Sequence, residues 1–436
     1  MLMPKTDTAA TKTSVDENKE RKRTGRKKRS KRFLKVLCVS LCFLVCFIAV
    51  TTAVTVVGDK KNLEKIRTIP SASSETALKP EKDENGYWTF TTDKPFKILQ
   101  LTDIHIGAGW MSLKKDAQAF NAVAAMVTAE KPDLVIVTGD ISYPVPFQSG
   151  TFNNKSSANL FAALMEQLGI YWTVAFGNHD AEAYSYYSRD EIGDFYESEE
   201  FSHCLFEKGP DEVDGIGNQI INIKNSAGLI TQSIFIFDSH SYTDTDPLGI
   251  RWKYDNIHEN QIEWYSDSLD RLNEQNRKVS EARASDINSL AFFHIPPAEM
   301  RKAWNEYSAN GYRDTENVRL IYGFANGNGK MVFCPVHDDN LIETMLEKGS
   351  TKGVFFGHDH KNCLSFDYHG IRLTYAMSID YLAIPGIGRI GAQRGCTVIT
   401  VNPDGSFDSR NENYYQDKYP TVFEKESVKI QEVTYE

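Results

Sequence analysis

Asp103-Ile104-His105, Gly139-Asp140, Gly177-Asn178-His179-Asp180, His294 and Gly357-His358-Asp359-His360 each stand where a run of apolar residues gives out. Asp, Asn and His are donors that first-row divalent metals accept, and strand ends hold side chains firmly enough to build a pair of metal sites. A carboxylate suits the position between two ions, because its two oxygens can reach ions about 3.5–4 Å apart. Asp103 and His105, two residues apart, would share one side of an extended segment and grip one ion together. Each motif alone is common in chains of this length, so the weight rests on their ordered conjunction.

The elements that must carry these motifs alternate. An extended run at 96–101 leads into Asp103. A helix at 114–130, with Phe120, Val123, Ala124 and Val127 at helical spacing, stops at Pro132, and the strand 134–137 then leads into Gly139-Asp140. A helix at 158–168 and a strand at 171–176 lead into Gly177-Asn178-His179. Strand, polar turn and helix in alternation imply a sheet with crossover helices and a site at its carboxyl edge. A strand at 87–92 is expected to begin the fold, and later strands are expected at 219–223, 230–237, 371–375 and 397–401, with others ending at His294 and Gly357 and a helix at 261–272.

The chain has 436 residues, 41% of them apolar, which suits one large or two modest folded domains. Its net charge of −10 hides an asymmetry: residues 1–35 carry +9 and the remainder −19. Residues 36–57 hold no charge, and 22 residues at about 1.5 Å each can cross a bilayer core of about 30 Å. The basic block before them sets the orientation by the positive-inside rule. We therefore expect a basic cytoplasmic tail (1–35), a transmembrane helix (36–57), a flexible stalk (58–85) with Pro70 and Pro80, an extracytoplasmic domain (86–410) that carries the motifs and a peripheral C-terminal segment (411–436). A cleaved signal peptide is the rival reading. Nucleic-acid binding is not expected, because a basic run abutting an apolar span is usually a topology signal.

Of seven cysteines, Cys38, Cys42 and Cys46 would line one face of the span, and Cys204, Cys334, Cys363 and Cys396 form an even count that permits disulfides without indicating them. Asn154-Lys155-Ser156 is a glycosylation acceptor pattern that chance explains easily.

The ordered motifs resemble those of the calcineurin-like metallophosphoesterase superfamily over about 96–401. Phe292-Phe293-His294-Ile295-Pro296-Pro297 and Phe356-Gly357-His358-Asp359-His360 resemble its purple-acid-phosphatase-related branch, as do the stretches 209–218 and 237–240. The resemblance implies an α/β fold, a four-layer α/β/β/α sandwich of two facing mixed sheets, here preceded by one transmembrane helix. It implies two divalent or mixed-valence ions of Mn, Fe or Zn. One would be held by Asp103, His105, Asp140 and His360, the other by Asp140, Asn178, His294 and His358, with Asp140 as the bridge. An activated hydroxide would attack phosphorus, and His179 would protonate or stabilise the leaving oxygen. The expected activity is hydrolysis of a phosphorylated small molecule or nucleotide. A phosphodiesterase or nucleotide-cleaving enzyme is the alternative within the fold, and a non-catalytic surface-binding protein the alternative outside enzymes.

Two departures refine this. Gly139-Asp140-Ile141-Ser142-Tyr143 has the spacing at which purple acid phosphatases carry an iron-binding tyrosine, but those enzymes lack a counterpart of His105. We take His105 as the ligand and Tyr143 as a wall residue. Tyr143 and Pro144 stand where protein Ser/Thr phosphatases carry Asp and Arg, which argues against that activity. Substrate choice is expected from 181–217 and 299–347, where Trp304, Tyr307, Tyr312 and Tyr322 could either cover a leaving group or pack beneath a loop. Among the other histidines, His203, His258, His337 and His369 are expected to be structural, and His240 is singled out because Asp238-Ser239-His240 follows an apolar strand.

Overall fold

The computed structural model describes residues 9–74, 77–281, 286–325, 332–384, 386–387 and 394–413. The chain divides into two units, Met1–Val57 and Gly58–Glu436. Helix α1 runs from Ala9 to Ile66, so it forms the first unit and enters the second. Among the described residues it is the one helix long and apolar enough to cross a membrane.

The second unit is built on two sheets. The five-stranded sheet has the parallel strands β3 (Phe96–Leu101), β4 (Leu134–Thr138) and β5 (Trp172–Ala175), with β13 (Gly395–Val401) antiparallel to β3 and β14 (Phe407–Asn413) beyond it. The nine-stranded sheet runs β1 (Glu81–Lys82), β2 (Trp88–Thr91), β6 (Gln219–Lys224), β7 (Ile230–Ile236), β8 (Asn288–Phe292), β10 (Thr351–Phe356), β12 (Ile371–Tyr375), β11 (Ser365–Tyr368) and β9 (Val318–Tyr322). Its centre, β7-β8-β10-β12, is parallel.

Side-chain parity makes the layers. On β4, Leu134 and Ile136 face a core shared by both sheets, while Val135 and Val137 join a core with α2 (Leu113–Glu130), α3 (Asn154–Leu168) and α4 (Arg189–Tyr196). On β8, Leu290 and Phe292 face the shared core, whereas Ala291 and Phe293 join α5 (Glu259–Val279), α6 (Ala298–Ala309) and α7 (Leu341–Lys348). The period-two alternation of strands thus yields α/β/β/α layering, as the resemblance implies. Each wholly buried Leu, Ile or Phe contributes roughly 1.5–3 kcal/mol to that packing.

The segment read as a flexible stalk differs from its expectation. α1 continues through its start, and Asn62, Ile66, Ile69 and Ala72 are buried. Gln167 donates to the Ile69 carbonyl at 2.7 Å, and the Ala72 amide donates to the Leu168 carbonyl at 2.9 Å. The cause is an apolar residue at every third position, Leu63, Ile66, Ile69 and Ala72, which packs into the α2/α3 core and which the charged residues between them conceal in the composition. At the other end β14 continues to Asn413, three residues past the expected domain end; the rest of 411–436 lies outside the described residues. Cys204, Cys334, Cys363 and Cys396 are all free thiols.

Candidate metal centre

The parallel strands of both sheets end at one edge, and the motifs meet there. His294 keeps the parity of Leu290 and Phe292 and therefore turns into the space between the sheets. Asp103 and His105 lie beyond the end of β3, not on it, and converge for a reason other than strand alternation: Asp103 (φ 51°), His105 (φ 54°), Asp140 (φ 56°) and His358 (φ 74°) all take the left-handed conformation. Non-glycine residues rarely do so, and such strain concentrates at functional sites. The turns are locked by backbone pairing, Asp103 N to Gly139 O at 3.1 Å and His105 N to Asp140 O at 3.0 Å. They can approach because two positions lack a Cβ. One on Gly177 would collide with the Asp140 carboxylate, and one on Gly139 with the His294 ring.

Two groups of donors result, each able to hold a metal ion: Asp103, His105, Asp140 and His360, and Asp140, His294 and His358. His105 Nε2 lies 3.1 Å from His360 Nε2, and His358 Nδ1 lies 3.2 Å from His294 Nε2. Asn178 Oδ1 joins the second group, 3.2 Å from His294 Nε2. Asp140 Oδ2 stands between the groups, 3.6 Å from His105 Nε2 and 3.3 Å from His294 Nε2. It is fully buried and makes no hydrogen bond. An orphaned carboxylate oxygen ringed by imidazole nitrogens is costly unless a cation completes it. The residues therefore fit a pair of metal ions.

A second layer aims the rings. The Thr138 carbonyl can only accept, so His294 donates from Nδ1 across 2.7 Å and turns Nε2 toward Asp140. Asp380 does the same for His360 at 3.0 Å, and its carboxylate also accepts from the amides of Leu382, Ala383 and Ile384. Tyr242 Oη accepts from Asn178 Nδ2 at 2.9 Å, which directs Oδ1 toward His294. Asp180 ties the loops together, accepting from the amides of Asp140 (2.9 Å), Gly177 (2.8 Å) and Ser142 (2.8 Å). His179 lies beside the centre with Nδ1 2.6 Å from Glu182 Oε1.

The electrostatics follow from burial set against charge. Burial alone would raise Asp103 and Asp140, but His360 and His294 respectively hold the two carboxyls well below their usual range. Burial, reinforced by His294, pushes His358 well below the ordinary imidazole value and keeps its lone pair available. For His294 burial, which lowers the ring, is outweighed by Asp140 and Asp103 together with the bonds to Asp140 and Thr138, and the ring is pushed up to about 9, so a metal ion at Nε2 would displace a proton.

Tyr143 sits 4.7 Å from the His105 ring and 4.9 Å from the His179 ring, and its hydroxyl donates to Gln148 at 2.8 Å. The aromatics expected from 299–347 do not line this site. Trp304, Tyr307 and Tyr312 pack with Phe366 at the α6 face, and Tyr322 bonds Ser409 at 2.9 Å. Aromatics do reach the centre from a stretch the sequence reading passed over: Tyr254 lies edge-on to His358 at 4.4 Å and stacks on Tyr242 at 5.5 Å. Asp380 and Glu182 were also missed. Asp380 follows the apolar strand β12, the signal that marked every other motif. His240, singled out earlier, joins a separate cluster with Asp255 and His258.

The description of the family model that matches residues 96–362 is calcineurin-like phosphoesterase. The chain is 28% identical over 331 residues to "Probable inactive purple acid phosphatase 14" of Arabidopsis thaliana, covering 71% of this chain and 76% of that protein. It is 27% identical over 318 residues to "Probable inactive purple acid phosphatase 28" of the same plant, covering 67% and 72%. It is 28% identical over 300 residues to "Phosphatase DCR2" of Saccharomyces cerevisiae, covering 64% of this chain and 46% of that protein.

Proposed function

This chain belongs to the calcineurin-like phosphoesterase family, and we propose that it is a membrane-anchored phosphoesterase that hydrolyses phosphate esters at a two-metal centre. The observation that carries the reading is Asp140 Oδ2, buried, without a hydrogen bond and within 3.6 Å of His105 Nε2 and 3.3 Å of His294 Nε2. In this reading Asp103, His105, Asp140 and His360 hold one ion, and Asp140, Asn178, His294 and His358 the other. Ions of Mn, Fe or Zn supply, when bound, Lewis acidity toward phosphate oxygens and a water of lowered pKa. The protein's part is orientation. Asp380 and the Thr138 carbonyl fix two imidazoles with their Nε2 atoms inward, and Tyr242 turns the Asn178 amide. His179, donating Nδ1–H to Glu182, keeps Nε2 to hold or deliver a proton at the leaving oxygen.

The uncharged run at 36–57, the basic residues before it and the apolarity of α1 support an anchor with the catalytic unit outside the cytoplasm. The substrate class is a phosphorylated small molecule or nucleotide, monoester or diester. The names of the plant relatives, "Probable inactive", favour the second reading, a surface protein without turnover. Against it stands a complete donor set with its supporting layer. Metal analysis of the purified protein beside assays with nitrophenyl phosphate and bis-nitrophenyl phosphate separates the two. About two ions per chain and hydrolysis of either ester is the expected result; a metal-loaded protein that cleaves neither ester would establish the non-catalytic reading.

A further inference from the structure

Contiguous apolar side chains left in water mark a contact surface. Phe147 is 88% exposed, Met111 47% and Trp110 36%, and they stand on two loops that bond to one another. The Met111 amide donates to Ser149 O at 3.1 Å, and Gly150 lies directly against Trp110 and Met111. Phe147 stands on the turn closed by Ser149 N to Val145 O (2.8 Å) and Gly150 N to Pro146 O (3.0 Å).

Chain continuity says what covers this rim. The uncharged run ends at Val57, and the next residue, Gly58, is so close to Leu113 that a Cβ there would collide with its side chain. One turn later Asn62 Nδ2 donates to Leu113 O at 3.4 Å. Leu113 is two residues from Met111, at most about 7 Å of chain. The headgroup zone on each side of a bilayer core is roughly 5–8 Å deep. Lys60, Lys61 and Lys114 are exposed around the same junction. Aromatic and apolar tips with lysines beside them are the pattern of residues that sit at a membrane surface.

We propose that the rim of Trp110, Met111 and Phe147 rests on the bilayer that holds the anchor, with its lysines against anionic headgroups. This rests on the membrane-anchor reading above. Docking there also holds at headgroup level the turn that follows Tyr143, the residue against His105 and His179.

The test uses the full-length chain in nanodiscs and the rate at which a polyethylene-glycol maleimide labels Met111→Cys, Phe147→Cys and Val279→Cys, over the wild-type background of native thiols. Val279 is 47% exposed at the end of α5 and serves as the free-surface reference. In phosphatidylserine discs both rim cysteines should label at least tenfold more slowly than the reference, and several-fold faster in phosphatidylcholine discs than in phosphatidylserine discs. Labelling at the reference rate in both lipids would overturn the proposal, and equal protection in both would overturn the charge component. A chain that does not remain with the discs would instead overturn the anchor, an outcome read independently by size-exclusion chromatography.

Discussion

Two clusters in this molecule contain the same kinds of side chain, and only one is built like a metal centre. Asp140 with His105, His294 and their neighbours is buried, and its central oxygen has no hydrogen bond. The His240, Asp255 and His258 cluster is half-buried, and its rings are satisfied. His240 Nε2 meets Gln261 Oε1 at 2.9 Å, His258 Nδ1 meets Asp214 at 2.8 Å, and the two imidazoles stack at 4.0 Å. Donor type and proximity are therefore weak evidence of a metal, whereas an unsatisfied buried donor with partners that aim its neighbours inward is strong evidence.

The sharpest way to break the contrast is to remove one residue from each cluster. Asp140→Asn keeps the shape but weakens the shared acceptor of both groups, and should abolish binding of at least one ion and lower phosphoesterase activity on the order of 10³-fold or more. His258→Ala should leave metal content unchanged and activity within about twofold, since surface changes away from a site are usually small. Metal analysis and ester hydrolysis on both variants decide it. A loss of stoichiometric metal from His258→Ala would make the second cluster a site.

A smaller effect is expected one layer out. Asp380→Ala should leave His360 in place but free to rotate, lowering metal affinity roughly 10–100-fold. Titration of the metal-free protein with Mn or Zn measures it. An unchanged affinity would mean that backbone packing alone orients the ring.

Asp380 also shows where sequence reading stopped. The strand ends and the side chains that gather at their carboxyl edge were legible from the ordered conjunction of the motifs, which no single apolar run ending at Asp, Asn or His would carry, as His240 shows. The supporting layer was not. Asp180 lies inside a quoted motif, yet its task of accepting amides from its own turn and from the loop of Asp140 and Ser142 depends on turn geometry, which spacing does not encode. The left-handed residues were invisible for the same reason, and the convergence of Asp103 with His105 was attributed to strand alternation. Trp304 and Tyr307 went to the core because α6 presents them at helical spacing to the nine-stranded sheet, whereas Tyr242 and Tyr254 reach the centre through a bridge between two irregular stretches.

Asp238 links the two clusters and gives the comparison a pH axis. It accepts from the His240 amide at 2.9 Å and from Arg189, which in turn donates to the Gly177 carbonyl at 2.9 Å. Burial would raise this carboxyl, but the Arg189 charge, joined by His240 and the hydrogen bonds from Arg189 and the Ile216 amide, outweighs burial and lowers it. A depressed acid contributes fully above its unfolded value, about 3.9, and the contribution is lost as pH falls through the lower folded value. Wild type should therefore lose stability, on the order of 1–3 kcal/mol, on acidification below about pH 4, and Asp238→Asn should show a flatter profile there with lower stability at neutral pH. Denaturant melts across pH 2–7 test the sign. Parallel profiles would show that the pair is not what holds the Gly177 loop.

Tyr143 offers the smallest expected effect and the finest test of where the centre ends. Its ring borders His105 and His179, but its hydroxyl is committed to Gln148, which itself donates to the carbonyls of Leu382 (3.2 Å) and Ala383 (2.8 Å). Burial, followed by the carboxylates of Asp380 and Asp140, pushes the phenol upward and so opposes the phenolate that a metal would need. Tyr143→Phe keeps the ring and removes one hydrogen bond, about 0.5–1.5 kcal/mol of stability. Metal content should be unchanged and activity should stay within about threefold. A visible charge-transfer band in the iron-loaded wild type that disappears in Tyr143→Phe would instead make the phenol a ligand and move the boundary of the centre past His105.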